Sequence, residues 1–498
     1  MMMQLGFRYI RPGLVRKYST RFRLPPTIQE VLSTAPVGQE VSVTAWVKSI
    51  RKQKRIAFGV LSDGSSAAGL QAVFHGDLQE RVKEVTNGTS LHVTGKIVSS
   101  VGAGQAKELS VEKVEILGSC DPESYPIQKK SLSAEYLRDH THLRARTDAI
   151  AAMLRLRGRL MTEINRYFAD QNFTYTHTPV LTSGDAEGGG EAFRLAPTSH
   201  DPSLSDRDRE FFSRPAYLTV SHQLHLEALC HALTRVYTLG PCFRAERGVT
   251  RRHLAEFWML EAEWAVAPVQ DPHLQTAALC DFVEGLIRNV VGNMNSEDLD
   301  VLWHHRENDS VSTVDREKRR EAMMTTVTSP VPWPKMTYSK AIHELLKVDR
   351  EWEFPVRWGG ALQSEHEKWL CEELIGGPVF VTDYPAGLKP FYMRANPQVE
   401  GESEVTMGCF DLLMPHVGEL VGGSVREERL DVLKASMQIK GMDPDGESYA
   451  WYSALRQFGG APHVGFGLGF ERLVGWLGGI ENIRESIPMP RWAGRMLM

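Results

Sequence analysis

Residues 243–263, FRAERGVTRRHLAEFWMLEAE, set Arg244, Arg247, Arg251, Arg252 and His253 among Glu246, Glu256, Glu261 and Glu263, around the apolar run Trp258-Met259-Leu260. Fixed cations at that density suit the holding of anions, and a planar guanidinium offers paired donors that an ammonium lacks. Read alone, the stretch fits equally well a surface ion-pair ladder against Glu256, Glu261 and Glu263, which contributes little energy. Two further segments carry chemistry. FDLLMPHVGELVGGSVREERL, 410–430, supplies Asp411 and Glu419, two carboxylates able to share Mg²⁺ between phosphates or, as isolated acids, ordinary surface residues. GFGLGFERL, 465–473, is a glycine-rich run ending near Arg472, and by itself such a run is more often a turn or tight packing.

These groups need a frame. At 498 residues the chain exceeds one compact core, and ~150 residues per domain gives two or three units. A net charge of -5 provides no overall field toward nucleic acid, so RNA binding has to come from a local patch. From Val41 to Leu117 short alternating strands, with Asp63-Gly64 as a turn, predict a five-stranded β-barrel of OB type over residues 36–118. On its first hairpin Lys48, Arg51, Lys52, Lys54 and Arg55 precede Phe58. That is charge for a phosphate backbone beside a ring for base stacking, or else a solvated loop before a core phenylalanine.

Residues 119–147, rich in proline and charge without periodicity, predict a hinge. From 148 to 498, the helical spacing of Ile150, Met153, Leu154, Leu160, Ile164 and Phe168 opens a region without a repeating βαβ unit. It predicts an α+β domain, a mainly antiparallel sheet flanked by helices. Residues 295–335 are unusually polar and predict an inserted or weakly ordered segment. Residues 1–30 carry Arg8, Arg11, Arg16, Lys17, Arg21 and Arg23 before the first acid, Glu30. That composition predicts a mitochondrial presequence, hence the matrix, with Arg16-Lys17-Tyr18-Ser19 as the cleavage neighbourhood; the alternative is a basic arm for tRNA. Six scattered cysteines, without CxxC or zinc spacing, read as buried thiols of a reducing compartment. No apolar stretch reaches the ~18–20 residues of a membrane span.

The stretch 243–263 resembles motif 2 of class II aminoacyl-tRNA synthetases. MLRLRGRLMTEINRYFADQNFTYTHTPVL, with Pro179 near its end, resembles motif 1, and GFGLGFERL resembles motif 3. One motif is weak evidence; three in order behind an OB-like barrel are strong. The motifs span about 149–182, 236–264 and 463–478, and the similarity is closest to the asparaginyl members of the aspartyl, asparaginyl and lysyl subgroup. It runs from about residue 36 to Trp492, through NIRESIPMPRW, and weakens at AGRMLM.

The resemblance implies a ligase that uses ATP and Mg²⁺ to convert L-asparagine to its adenylate and transfers it to tRNA(Asn), working as a homodimer through motif 1. It implies that Arg244 bridges the substrate carboxylate and the α-phosphate and that Glu246 accepts from the adenine amino group. Arg252 and His253 would hold the far phosphates, and Phe257 and Arg472 would cover the two adenine faces, with Gly469 in the same ATP set. Glu419 and Asp411 would ligate Mg²⁺, Asp411 with one extra intervening residue compared with aspartyl enzymes. In the amino-acid pocket, Glu187 of the loop 183–195 would bind the α-ammonium and Gln223 would line the site. Glu227 and Arg426 match the pair that reads the side-chain amide, or else form a structural salt bridge. Leu226 stands where aspartyl enzymes carry a lysine that neutralises the substrate. In the barrel, Phe58 and Gln71 match the residues that stack on and read anticodon bases. Arg247 and Gly248 depart from the small polar residues usual in the motif 2 loop. The rival readings are an aspartyl or non-discriminating enzyme, an inactive relative that only binds RNA, and an asparagine-synthesising relative, which would lack the barrel.

Overall fold

The computed structural model describes residues 24–102, 104–184, 192–196, 210–248, 250–269, 271–294, 296–304, 312–398 and 404–498. The chain divides after Lys129 into two compact units.

In the first, β1 (Glu40–Lys52), β2 (Ile56–Ser62), β3 (Leu70–His75), β4 (Ser90–Ser99) and β5 (Lys107–Gly118) close a barrel in the order β1-β2-β3-β5-β4. Strict alternation drives this. Val41, Val43, Ala45 and Val47 of β1 all point into the core, while the residues between them face outward. The helix Ile28–Thr34, started by a capping box between Thr27 and Glu30, adds Ile28 and Val31 to the same core. The Ile28 amide also donates to Asp63 Oδ2 at 2.8 Å. Residues 28–30 of the expected leader 1–30 thus pack with the barrel, and residues 1–23 lie outside the described ones.

The expected hinge 119–147 falls across both units. Residues up to Lys129 belong to the first unit, whereas the helix Ala134–Asp139 and the turn Arg144–Arg146 belong to the second. Arg138 and Arg144 bind the two oxygens of Glu485 at 2.6 and 2.8 Å, and Arg144 is fully buried. Charge that reads as linker composition is an internal ion-pair network.

In the second unit the strands are β6 (Thr174–Tyr175), β7 (Leu181–Thr182), β8 (Arg194–Leu195), β9 (Ala216–Leu218), β10 (Arg235–Phe243), β11 (Glu256–Ala265), β12 (Lys335–Thr337), β13 (Val379–Thr382), β14 (Cys409–Met414), β15 (Gly418–Val425) and β16 (His463–Gly469). An eight-stranded sheet runs β12-β13-β14-β15-β16-β11-β10-β6 and is antiparallel except at its outer pairs β12–β13 and β10–β6. This is the α+β domain that the sequence predicts. The long helix Asp148–Asp170 lays its apolar stripe on the sheet, where Phe168 stacks on Tyr237 at 4.2 Å between ring centroids.

The polar segment 295–335 is not weakly ordered where it is described. It holds the helices Ser296–His304 and Thr313–Thr328, which bury Leu299, Leu302, Trp303, Met323 and Val327 in the main core. Its polarity belongs to the outer faces of amphipathic helices, and a count of composition cannot separate the two faces. No helix among the described residues is long and apolar enough to cross a membrane.

Candidate active site

The three motif segments meet at one buried carboxylate. Glu471, in the first turn of the helix Phe470–Gly478, binds Arg157 of the helix Asp148–Asp170 at 2.6 Å and accepts from the Trp258 amide of β11 at 2.8 Å. Burial pushes the Glu471 carboxyl up, against the Arg157 guanidinium and the Trp258 amide, which hold it down. The neighbouring Arg472 is thereby aimed outward, and its Nη1 donates to the Glu419 carbonyl and lies 3.9 Å from the Glu419 carboxylate.

A cavity of about 440 Å³ opens beside this junction, and Gln223, Arg244, Asp411, Glu419 and Arg426 share its wall. The other expected ATP residues stand one contact further out. The Arg244 guanidinium lies 5.4 Å from the Phe257 ring and 3.9 Å from Glu246, and His253 lies 3.5 Å from Glu246. Arg252 donates to Ser364 at 2.8 Å. Burial lowers the Arg252 pKa, Glu367 offsets this, and repulsion from Arg472 adds to it. Arg252 and Arg472 thus bring two positive charges toward Glu367, a charge type that suits the holding of anions. Gly469, the N-cap of the helix Phe470–Gly478, pairs with Met259 across β11 and β16. The ion-pair ladder fails on geometry: Glu256 faces Arg491, Glu261 accepts from Ser221 and the His222 amide, and Glu263 binds Arg426.

The two expected metal ligands converge. A Cβ on Gly422 would lie 3.2 Å from Glu419 Oε1 and 3.5 Å from Asp411 Oδ1, so both carboxylates lean over the same glycine. Lys389, which the sequence reading missed, holds both Asp411 oxygens at 2.8 Å. Glu367 joins the group, its carboxyl pushed up to about 7 by burial and by Glu419, against Arg472 and Arg252. Three carboxylates gathered in this way supply the oxygen ligands that suit a hard divalent cation.

At the other end, the expected pairing of Glu227 with Arg426 is not the one the structure makes. Arg426 is buried, binds Glu263 through both Nη2 and Nε, the latter at 3.2 Å, and donates to Ser424 at 2.5 Å. Burial opposes its charge, yet Glu263 carries its pKa above the ordinary value. Glu227 lies behind the wall, fully buried, bound by Arg456 at 2.6 Å, Tyr452 at 2.7 Å, His463 at 3.0 Å and Gln223 at 3.0 Å. Of the residues bonded to it here, Gln223 lines the cavity. Leu226 does not line the cavity either; it is buried against Cys230 and Val236, because helical spacing turns it to the back of Gln223–Leu233. Glu187 and residues 188–190 lie outside the described residues.

The glycines of motif 3 follow from this packing. Gly465 of β16 sits opposite Glu263 of β11, and a Cβ there would lie 2.1 Å from the Glu263 carboxylate. Gly465→Ala is expected to push Glu263 off Arg426. Misplacing a positioning group by about 1 Å costs on the order of 10²-fold, so steady-state kinetics should show kcat/KM for the amino acid falling by that order.

A second cavity, about 640 Å³, is lined by Arg138, Arg251, Arg316, Arg484, Glu481 and Glu485 among others. From the motif 2 and motif 3 segments it draws Arg251 and Gly478, and its arginines face acids of its own wall, as in Arg138–Glu485 at 2.6 Å and Arg251–Glu481 at 3.7 Å.

The family of class II tRNA synthetases (D, K and N) matches residues 133–493, and the OB-fold nucleic acid binding domain matches 41–117. The asparagine–tRNA ligases of Thermosynechococcus vestitus and Microcystis aeruginosa are each 42% identical to this chain, covering 94% and 93% of it and 98% of their own lengths. The chain belongs to the asparagine–tRNA ligases. The asparaginyl-tRNA synthetase of Pyrococcus horikoshii, solved with asparaginyl-adenylate, is similar at a TM-score of 0.76 and 30% identity, over 95% of this chain and 100% of that one. The Entamoeba histolytica enzyme, also with asparaginyl-adenylate, gives 0.75 and 29%, over 93% and 98%.

In the barrel of this ligase, Phe58 and Gln71 share the outer face of neighbouring strands: Phe58 is two residues from Val60, which pairs with Gln71. Phe58 is thus not a core residue; its ring is half-buried, with the Arg51 guanidinium 5.3 Å from its centre. The Gln71 amide donates to Glu108 at 3.0 Å. Sequence reasoning missed Glu263, Arg456, Lys389 and Tyr392, whose ring lies 5.2 Å from Arg426. The run Lys389-Pro390-Phe391-Tyr392, one cation among aromatics, was the available signal.

Proposed function

We propose that the 440 Å³ cavity is where L-asparagine and ATP are joined and from which the asparaginyl group passes to tRNA(Asn). The observation that carries this is the single wall shared by Arg244, by the converging carboxylates Asp411 and Glu419, and by Arg426 with its counter-charge Glu263. An asparagine carboxylate oxygen attacks the α-phosphorus, pyrophosphate leaves, and Arg244 spans both anions through the more highly charged transition state. The step needs no general acid or base, since holding the two anions in line supplies most of the rate. In the second step the terminal ribose hydroxyl of the tRNA attacks the adenylate carbonyl and AMP leaves.

Selectivity follows from charge balance. Arg426 can donate to the amide oxygen while Glu263 cancels its charge, so a neutral amide is accommodated. An aspartate carboxylate finds no net cation there, because Glu263 already offsets Arg426. Asp411 and Glu419 would hold Mg²⁺, which when bound neutralises phosphate charge, and Lys389 would give way as it binds. Phe58 and Gln71 are assigned to the anticodon, and Glu187 to the α-ammonium.

Motif 1, which resembles the dimer-forming helix of the class, supports a homodimer. The acid-free basic stretch before Glu30 supports action in mitochondria. The test is pyrophosphate exchange by the purified chain. Asparagine should support it and aspartate should be disfavoured by at least 10²-fold, on the order that a site built to hydrogen-bond its substrate achieves. Comparable exchange with both would show a non-discriminating enzyme; exchange with neither, at intact fold, would leave only RNA binding.

A further inference from the structure

We propose that His222, Cys242 and Glu261 form a site for a thiophilic divalent cation of the zinc class, set under the wall of the amino-acid cavity. In sequence these residues show no ligand spacing. The fold brings them together because His222 precedes the helix Gln223–Leu233 while Cys242 and Glu261 lie on the paired strands β10 and β11. Their ligand atoms all lie within 4.8 Å of one another, and all three residues are buried.

Three features show that this is a built site and not an accident of packing. First, His222 Nε2 is buried and makes no hydrogen bond, whereas Nδ1 is 2.6 Å from Thr178 Oγ1. With the hydroxyl accepting from Nδ1–H, the tautomer is the one whose Nε2 lone pair is available to a metal. Second, the Glu261 carboxylate is itself oriented, accepting from Ser221 Oγ at 2.5 Å and from the His222 amide at 2.7 Å. Third, a Cβ on Gly240 would come within 2.8 Å of His222 Nε2, so the glycine at 240 keeps that nitrogen uncovered.

Imidazole, thiolate and carboxylate are the zinc donor types, and three protein ligands leave a fourth position for water. On binding, the Cys242 Sγ–H bond breaks, its proton passes to solvent, and the sulfur lone pair replaces one water of the incoming ion. One thiolate and one carboxylate then balance the two positive charges, and nothing is oxidised or reduced. Glu261 and Ser221 also line the cavity, which supplies the entry path.

The experiment is a titration of the full chain, free of any metal-binding tag, with Cd²⁺ as the spectroscopic probe and Zn²⁺ as competitor, in excess Mg²⁺ to occupy the hard carboxylate site. One ion per chain is expected, with a sulfur-to-cadmium charge-transfer band, release of one proton and a rise in Tm. Cys242→Ser should lose the band, and Thr178→Val, which frees the imidazole to turn, should weaken binding by about 10–100-fold. Absence of the band at one equivalent, or its persistence in the serine variant, overturns the site. Affinity unchanged in Thr178→Val would do the same for the histidine's part, and that variant leaves all three ligands in place should the serine variant fail to fold.

Discussion

Arg244→Lys should lower asparagine-dependent pyrophosphate exchange by about 10²–10³-fold, the effect of removing one donor aimed at transition-state charge. Lysine keeps the positive charge but not the fork, so it cannot span a carboxylate and a phosphate together. Arg244 is also held for the task. Its amide donates to the Ala255 carbonyl at 3.0 Å, closing the β10–β11 hairpin, and its guanidinium packs toward Phe257. Single-turnover measurement should put most of the loss in adenylate formation. A lysine variant that merely raises KM for ATP, at unchanged kcat, would show that Arg244 binds ground states only.

Glu227→Ala should destabilise the fold by about 3–5 kcal/mol, because it leaves the Arg456 charge buried without compensation. Arg456 and Glu227 side chains are both 0% exposed, and Tyr452 and His463 also lose their acceptor. Urea unfolding reads the loss. Pairing Glu227→Leu with Arg456→Met should recover much of it, since a buried pair replaced by apolar groups is often neutral. Had Glu227 served chiefly to touch the substrate amide, unfolding would hardly change and only KM would rise. The pH dependence has a definite sign. Burial pushes the Glu227 carboxyl up, but Arg456, His463 and Arg426 overcome this and hold it well below its ordinary 4.5. Its stabilisation is therefore complete above about pH 4.5 and is lost as pH falls through the lower folded value, so parent and variant should converge in acid.

The placement of Gln223, Arg244, Asp411, Glu419 and Arg426 was legible because each sits inside a stretch whose order along the chain matches a known arrangement of strand, loop and helix. The roles of Glu227 and Leu226 were misread for a reason of geometry. They are adjacent in a helix, where successive side chains diverge by about 100°. Whether position 226 or 227 faces the cavity depends on how the helix Gln223–Leu233 is rolled against β10 and β11, and the residues that decide the roll, Arg456 and His463, lie more than 200 positions away. The polar segment 295–335 was misread for a related reason: a count of polar residues does not show that Trp303 and Met323 share an inward face.

From the amino-acid order alone came the two-unit organisation, the barrel, the antiparallel sheet and the arginines of motifs 2 and 3, since period-two alternation, turn residues and contiguous motifs are local properties of a chain. Only the tertiary structure decided the charge partners. It gave Arg426 to Glu263, Arg456 to Glu227, Lys389 to Asp411 and Arg157 to Glu471. Every buried cation must be compensated within a few ångströms, and which acid does so is set by strands and helices meeting in space, not by proximity along the chain.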